Sequence, residues 1–168
     1  SHIELPVIRF NQARLDSIEL FPFKELIYSG ISGIMTGHLS VPSLDSIELS
    51  PASLSPYIVD TLLKQEMGFK GLIITDAMKM KGITNHFDPD TAVIKAILAG
   101  NDIVLMPEDI QNALKAVKRE IINGTIRQED IDNRCKKILA AKYWSGLGEY
   151  RPVDLKNLTE DLNQPHYE

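Results

Sequence analysis

Residues 66–78 read E-M-G-F-K-G-L-I-I-T-D-A-M, and the middle of this stretch decides the fold. Gly71–Thr75 (GLIIT) is a short apolar run, partly β-branched, with glycine in front and a polar residue, Asp76, directly behind. That is how a strand of a parallel sheet, buried on both faces, reads. Two runs of the same kind flank it, Gly33–Thr36 (GIMT) and Asp102–Met106 (DIVLM). The segments around them carry helix signals. Ser55-Pro56 offers an N-cap with proline in the first turn, and predicts a helix from Pro56 to Met67 with Ile58, Leu62, Leu63 and Met67 inward. A helix over Pro89–Ala99 ends at Gly100, with Val93, Ile94, Ile97 and Leu98 inward. Further helices are expected over Glu108–Asn123 and Gln128–Trp144, the last turning Ile131, Cys135, Ile138 and Leu139 to one face. A short one near Pro22–Tyr28 precedes the first strand.

The order α-β-α-β-α-β-α-α, with helices as crossovers, is the pattern of parallel strands covered by helices. A doubly wound nucleotide fold would place a glycine-rich turn directly after a strand, and none of the three runs is followed by one. Polar residues stand there instead: Thr36 and His38, then Thr75 and Asp76. In a TIM-type barrel that edge carries the active site. A barrel needs eight βα units in about 250 residues, and three are seen here. The chain therefore reads as the C-terminal portion of a (β/α)8 barrel, or else as a smaller open sheet. From Glu149 the texture turns irregular, so residues 1–148 are expected to form the partial barrel domain. Residues 149–168 are expected to form an extended tail or a linker to a further module.

Composition narrows the function. Of 168 residues, 43% are hydrophobic and 24% charged, with a net charge of −5. The acidic balance argues against a nucleic-acid surface. No apolar run approaches the roughly 20 residues of a membrane span. One cysteine, Cys135, excludes an intramolecular disulfide, and its place on the apolar face of a helix reads as inert core. Asp76, His38 and His86 lack metal-ligand spacing, so neither a metal nor another cofactor is expected. The chain begins without Met and shows no signal-peptide pattern, although a trimmed N-terminus would look the same. The compartment stays open, an extracytoplasmic one being favoured over a cytoplasmic one.

Three pieces between Gly30 and Gly146 resemble glycoside hydrolase family 3, in its β-N-acetylglucosaminidase branch. GIMTGHLSVPSLD (Gly33–Asp45) looks like the family strand ending in a Met-x-Ala/Gly-His tract. EMGFKGLIITDAM (Glu66–Met78) is similar to the family strand whose terminal Asp is the nucleophile. AGNDIVLMP (Ala99–Pro107), with the helix RQEDIDNRCKKILAAKYWSGL, is similar to the last barrel strand and the helix closing the domain. The opening, Ser1-His2-Ile3-Glu4-Leu5-Pro6-Val7-Ile8, resembles the branch's mobile Asp-Ser/Thr-His loop, with the dyad Asp lying before the first residue.

The resemblance implies a retaining exo-β-N-acetylglucosaminidase acting on terminal β-linked GlcNAc, for example in peptidoglycan fragments. Asp76 would be the nucleophile and His2 the acid/base. Retaining hydrolysis needs a carboxylate beneath the anomeric carbon, and an imidazole titrating near neutrality can give and take the proton. The bland reading of Asp76 is a strand-end cap. That of His2 is the remnant of a cleaved tag. His38, Met78 and Met106 are secondary candidates for the sugar site. His38 could also order neighbouring polar groups, and reads equally as a buried histidine satisfied by backbone, while core filling is the alternative for each methionine. Asp102 reads as capping or pairing with a helix end. The expected partners are a carbohydrate and the absent N-terminal half of the barrel, without which this chain should be inactive. The rival readings are a catalytically silent barrel-derived scaffold and another family 3 enzyme such as a β-glucosidase. Ala77, where β-glucosidase-like members tend to carry Trp, favours the hexosaminidase branch.

Overall fold

A computed structural model describes residues 3–47, 50–149, 151–152 and 155–165. Strands β1 (Gly33–Thr36) and β2 (Leu72–Thr75) pair in parallel, in register Gly33↔Leu72 through Thr36↔Thr75. The third expected strand also lies parallel beside β2, but it is held by a single bridge, Ile74↔Ile103. Its ladder stops for a local reason. Leu105 N–H donates to the Thr75 hydroxyl at 3.0 Å rather than to a strand carbonyl, and Met106 turns to φ +47°. A non-glycine residue in that region leaves the extended path.

Helix α1 (Gln12–Arg14) widens into a π-type turn over Leu15–Glu19, and α2 (Phe21–Tyr28) leads to β1. The crossover between β1 and β2 contains a 3-10 turn (Ala52–Leu54) and a π-type helix (Tyr57–Glu66). Ser55 starts it as expected, its hydroxyl accepting from Ile58 N–H at 3.2 Å. After β2 come α3 (Lys81–Thr84), α4 (Pro89–Ala99), α5 (Ile110–Ile122) and α6 (Gln128–Trp144). The ends of α4 fall where the local signals put them. Asp88 caps its first turn by accepting from Thr91 N–H at 3.0 Å, and Gly100 ends it at φ +110°.

The core lies between the strands and these helices. Val59, Leu63, Phe69, Ile73 and Ala99 form one cluster, with Ile27, Ile34 and Met67 packed against it. Each fully buried aliphatic side chain such as Ile73 stabilises by about 1.5–3 kcal/mol. Leu54, Met78, Ile83, Ala92 and Ala96 form a second cluster, with Phe87 and Val104 packed against it. Gly71 is required at the entry to β2. A Cβ there would stand 2.5 Å from the Ser32 carbonyl oxygen, which already accepts from Leu72 N–H at 2.9 Å.

Several expected faces are corrected. On α4 the buried residues are Ala92, Val93, Ala96 and Ala99, while Leu98 is 47% exposed. Small alanines let α4 approach the Ala52–Leu54 turn, so close contact rather than side-chain size sets its inner face. On the π-type helix Val59 is buried, where a 3.6-residue period favoured Ile58. Its wider i→i+5 turns rotate the stripe. On α6 Cys135 is exposed, not core, and so is Leu139. Arg134 and Lys137 face inward instead, because they bond to groups at the end of α4 and the start of the third strand. The segment expected to be extended contains a short helix, α7 (Leu158–Leu162).

Candidate active site

Parallel pairing puts the C-terminal ends of β1, β2 and the third strand at one edge of the sheet. Thr36 ends β1, Asp76 follows β2, and Met106 follows the third strand. Asp76 N–H donates to the Thr36 carbonyl at 2.9 Å, which carries the hydrogen bonding of the strand pair one step past its last paired residues. The Asp76 carboxylate is half-buried, and its Oδ1 accepts from Ala77 N–H at 2.7 Å. A hydrogen bond to an ionised oxygen is strong and fixes the rotation of the carboxylate.

His38 lies beneath this edge and is 1% exposed. Its Nε2 is 3.1 Å from the Ala77 carbonyl and its Nδ1 is 2.7 Å from the Ser53 hydroxyl. A carbonyl only accepts, so Nε2 carries the proton and Nδ1 accepts from Ser53. Burial lowers the imidazole pKa, opposed by the Ala77 carbonyl and the nearby Asp76 charge. Ser53 in turn joins a buried polar network. Asn101 Nδ2 donates to the Ser53 carbonyl at 2.8 Å and to the Ala96 carbonyl at 2.7 Å, while its Oδ1 accepts from the Thr36 hydroxyl at 2.8 Å.

The candidates fall into two groups. Asp76 and Met106, the latter 47% exposed, stand at the open edge. Met78 is 3% exposed and belongs to the second core cluster, and a group buried in part of a barrel stays buried in the whole. Met78 and His38, secondary candidates for the sugar site, both lie inside this part of the barrel. Met78 fills core, and both ring nitrogens of His38 are engaged inside the protein. The Asp102 side chain is buried and pairs with the middle of α6 rather than a helix end, its Oδ2 accepting from Lys137 Nζ at 2.6 Å and from Ile73 N–H at 2.8 Å. His2 lies outside the described residues. The segment after it docks near the same edge: Ile8 N–H donates to the Ser40 carbonyl and Ser40 N–H to the Pro6 carbonyl, both at 2.8 Å. Asn85 Nδ2, in the region following Asp76, donates to the Ile3 carbonyl at 3.4 Å. Ser53 and Asn101 escaped notice in the sequence, where a lone Ser or Asn near a helix end signals only capping.

A parallel α/β layer with a carboxylate presented at the C-terminal strand edge is the arrangement of a TIM-type barrel, and this chain is a portion of one. Residues 1–141 match the glycosyl hydrolase family 3 N-terminal domain, and the chain belongs to that family. It is 37% identical over 122 residues to beta-hexosaminidase A of Pseudoalteromonas piscicida, covering 67% of this chain and 20% of that protein. It is 34% identical over 106 residues to a beta-hexosaminidase of Nitrosospira multiformis, covering 63% of this chain and 30% of the relative. The structure superposes on a family 3 beta-N-acetylglucosaminidase from a Paenibacillus species with a TM-score of 0.87 at 32% identity, covering 92% of this chain and 30% of the other. The chain thus spans 20–30% of the length of these three relatives.

Proposed function

We propose that the protein containing this chain is a retaining exo-β-N-acetylglucosaminidase, with Asp76 as its nucleophile. The observation that carries the reading is the placement of Asp76. It is an oriented carboxylate just past strand β2, at the edge where barrels do chemistry, in a chain whose relatives are named beta-hexosaminidases. In the first step a carboxylate oxygen of Asp76 attacks the anomeric carbon while the bond to the leaving oxygen breaks, and an acid delivers a proton to that oxygen. In the second step water displaces Asp76 and gives its proton to the same group. His2 is the group we assign to that role. The docking of residues 3–8 against Ser40 and Asn85 supports a place for the N-terminal segment at this edge. Ala77 after the nucleophile favours N-acetylglucosamine over glucose as the sugar, and peptidoglycan fragments are the source we propose. The 168 residues are assigned to the barrel portion (1–148) and a connecting tail (149–168).

The test uses the full-length protein and chromogenic β-GlcNAc and β-glucoside substrates. Turnover of the GlcNAc glycoside is expected, together with covalent labelling of Asp76 by a slow fluorinated glycoside, located by mass spectrometry of a digest. The Asp76→Asn variant should give no label. Binding without turnover would favour the silent-scaffold reading, and label on another carboxylate would remove Asp76 from its role. The 168-residue chain alone should turn over negligibly, since it makes only a portion of the barrel that would enclose the sugar.

A further inference from the structure

We propose that His38 is a positioning residue for the nucleophile: clamped by Ser53 at one ring nitrogen, it holds the Ala77 carbonyl with the other and so fixes the strand end that carries Asp76. The inference rests on the reading of Asp76 as the reacting carboxylate.

Asp76 and Ala77 are held at three points. Asp76 N–H is bound to the Thr36 carbonyl at 2.9 Å, Ala77 N–H to the Asp76 carboxylate at 2.7 Å, and the Ala77 carbonyl to His38 Nε2 at 3.1 Å. The second contact sets the direction of the carboxylate, and it depends on how the Ala77 backbone is turned. His38 reaches that backbone on its other side. The clamp is rigid because its own supports are tied down. Ser53 is fully buried, with its N–H on the Gly37 carbonyl at 3.2 Å, and Ala52 N–H donates to the Leu39 carbonyl at 2.7 Å. The residues on both sides of His38 are therefore bound to the turn that supplies Ser53. Asn101 closes the frame by joining the Ser53 carbonyl to the Thr36 hydroxyl. A histidine that merely filled core would need two partners of any kind. This one joins the loop after β1 to the residue next to Asp76, and Met78 N–H on the Leu105 carbonyl at 2.9 Å anchors the following residue.

The test separates the two ring nitrogens in the full-length protein. In His38→Gln the amide nitrogen reaches the place of Nε2 and can donate to Ala77. In His38→Asn the shorter amide can accept from Ser53 but falls short of Ala77. His38→Asn is expected to lower kcat and the rate of glycosyl-enzyme formation about 10–10²-fold with KM little changed, as a small misplacement of a reacting group does. His38→Gln should recover most of that loss. Hydrogen exchange in the peptide carrying residues 72–80 should quicken at Ala77 in His38→Asn and stay slow in His38→Gln. If His38→Asn does not fold, Ser53→Ala, which removes the donor to Nδ1, should give a smaller fall in kcat with the same unchanged KM. Normal kcat in His38→Asn, or equal losses in both histidine variants with Ala77 exchange unchanged, overturns the proposal. A wild-type protein without GlcNAc turnover refutes the glycosidase reading separately, and exchange at Ala77 still decides whether His38 holds the strand end.

Discussion

The hydroxyl of Thr36 donates to Asn101 Oδ1 across 2.8 Å, joining the last residue of β1 to the residue that follows the C-cap of α4. Both are buried, and the same asparagine donates to two backbone carbonyls. One side chain thus satisfies three buried groups from three parts of the chain. Unpaired, such groups are costly, so the asparagine holds the strand end, the Ser53 turn and the α4 terminus together.

Asn101→Ala should destabilise the protein by about 1–3 kcal/mol, a loss set chiefly by the Ser53 carbonyl, since the Thr36 hydroxyl also reaches the Ile74 carbonyl and the Ala96 carbonyl keeps backbone donors. Thermal unfolding of the full-length variant measures it. A change under about 0.5 kcal/mol would mean that water or rearrangement replaces the asparagine easily.

Asp102 and Lys137 make an unequal pair. The carboxylate is buried and also accepts from Ile73 N–H inside β2, while the lysine is partly exposed. Asp102→Ala leaves both donors without an acceptor and should cost about 2–4 kcal/mol. Lys137→Met leaves the Ile73 bond in place but strands the buried carboxylate charge, and should cost about 1–2 kcal/mol, less than Asp102→Ala because the lysine itself is partly exposed. Equal losses in the two variants would contradict this ordering.

His38 should make stability depend on pH. The unfolded imidazole titrates near its ordinary 6.5, and burial lowers the folded value, against the opposing pull of Asp76 and the Ala77 carbonyl. Between the two values the unfolded state binds more protons, so stability falls as pH drops through 6.5 and levels off below the folded pKa. The midpoint of thermal unfolding, followed from about pH 7.5 to about pH 5, should fall less steeply in His38→Gln than in wild type. Parallel curves would place the proton uptake elsewhere.

Removing the Asp76 side chain gives a chemical test. Asp76→Ala should lose on the order of 10⁴-fold or more in kcat, as covalent catalysts do without their nucleophile. With an activated β-GlcNAc glycoside, azide can then enter the vacated face, and the product should be the α-glycosyl azide. A strand-end cap, in contrast, would lose about 0.5–2 kcal/mol of stability and no chemistry. A β-configured azide product, or no effect on turnover, would refute the assignment.

Local chemistry made much of this molecule legible in advance. Pro89 and Gly100 bound α4 through a fixed φ and a left-handed end, and neither needs a distant partner. The β-branched runs and the residues behind them put Thr36 and Asp76 at one strand edge, because side-chain pattern and chain order suffice for that. Facing and partnership were not legible. Arg134 turns inward because it donates to the Ile97 and Asn101 carbonyls, and Cys135 is turned outward by the same choice. In sequence His38 reads equally as a pocket residue or as a buried histidine, and its partners, Ser53 and the Ala77 carbonyl, are named only by the folded chain. Those partners lie 15 and 39 residues away. A periodic pattern ranks residues by hydrophobicity, whereas a buried hydrogen bond depends on which donor and acceptor the folded chain brings to within 3 Å or so of one another.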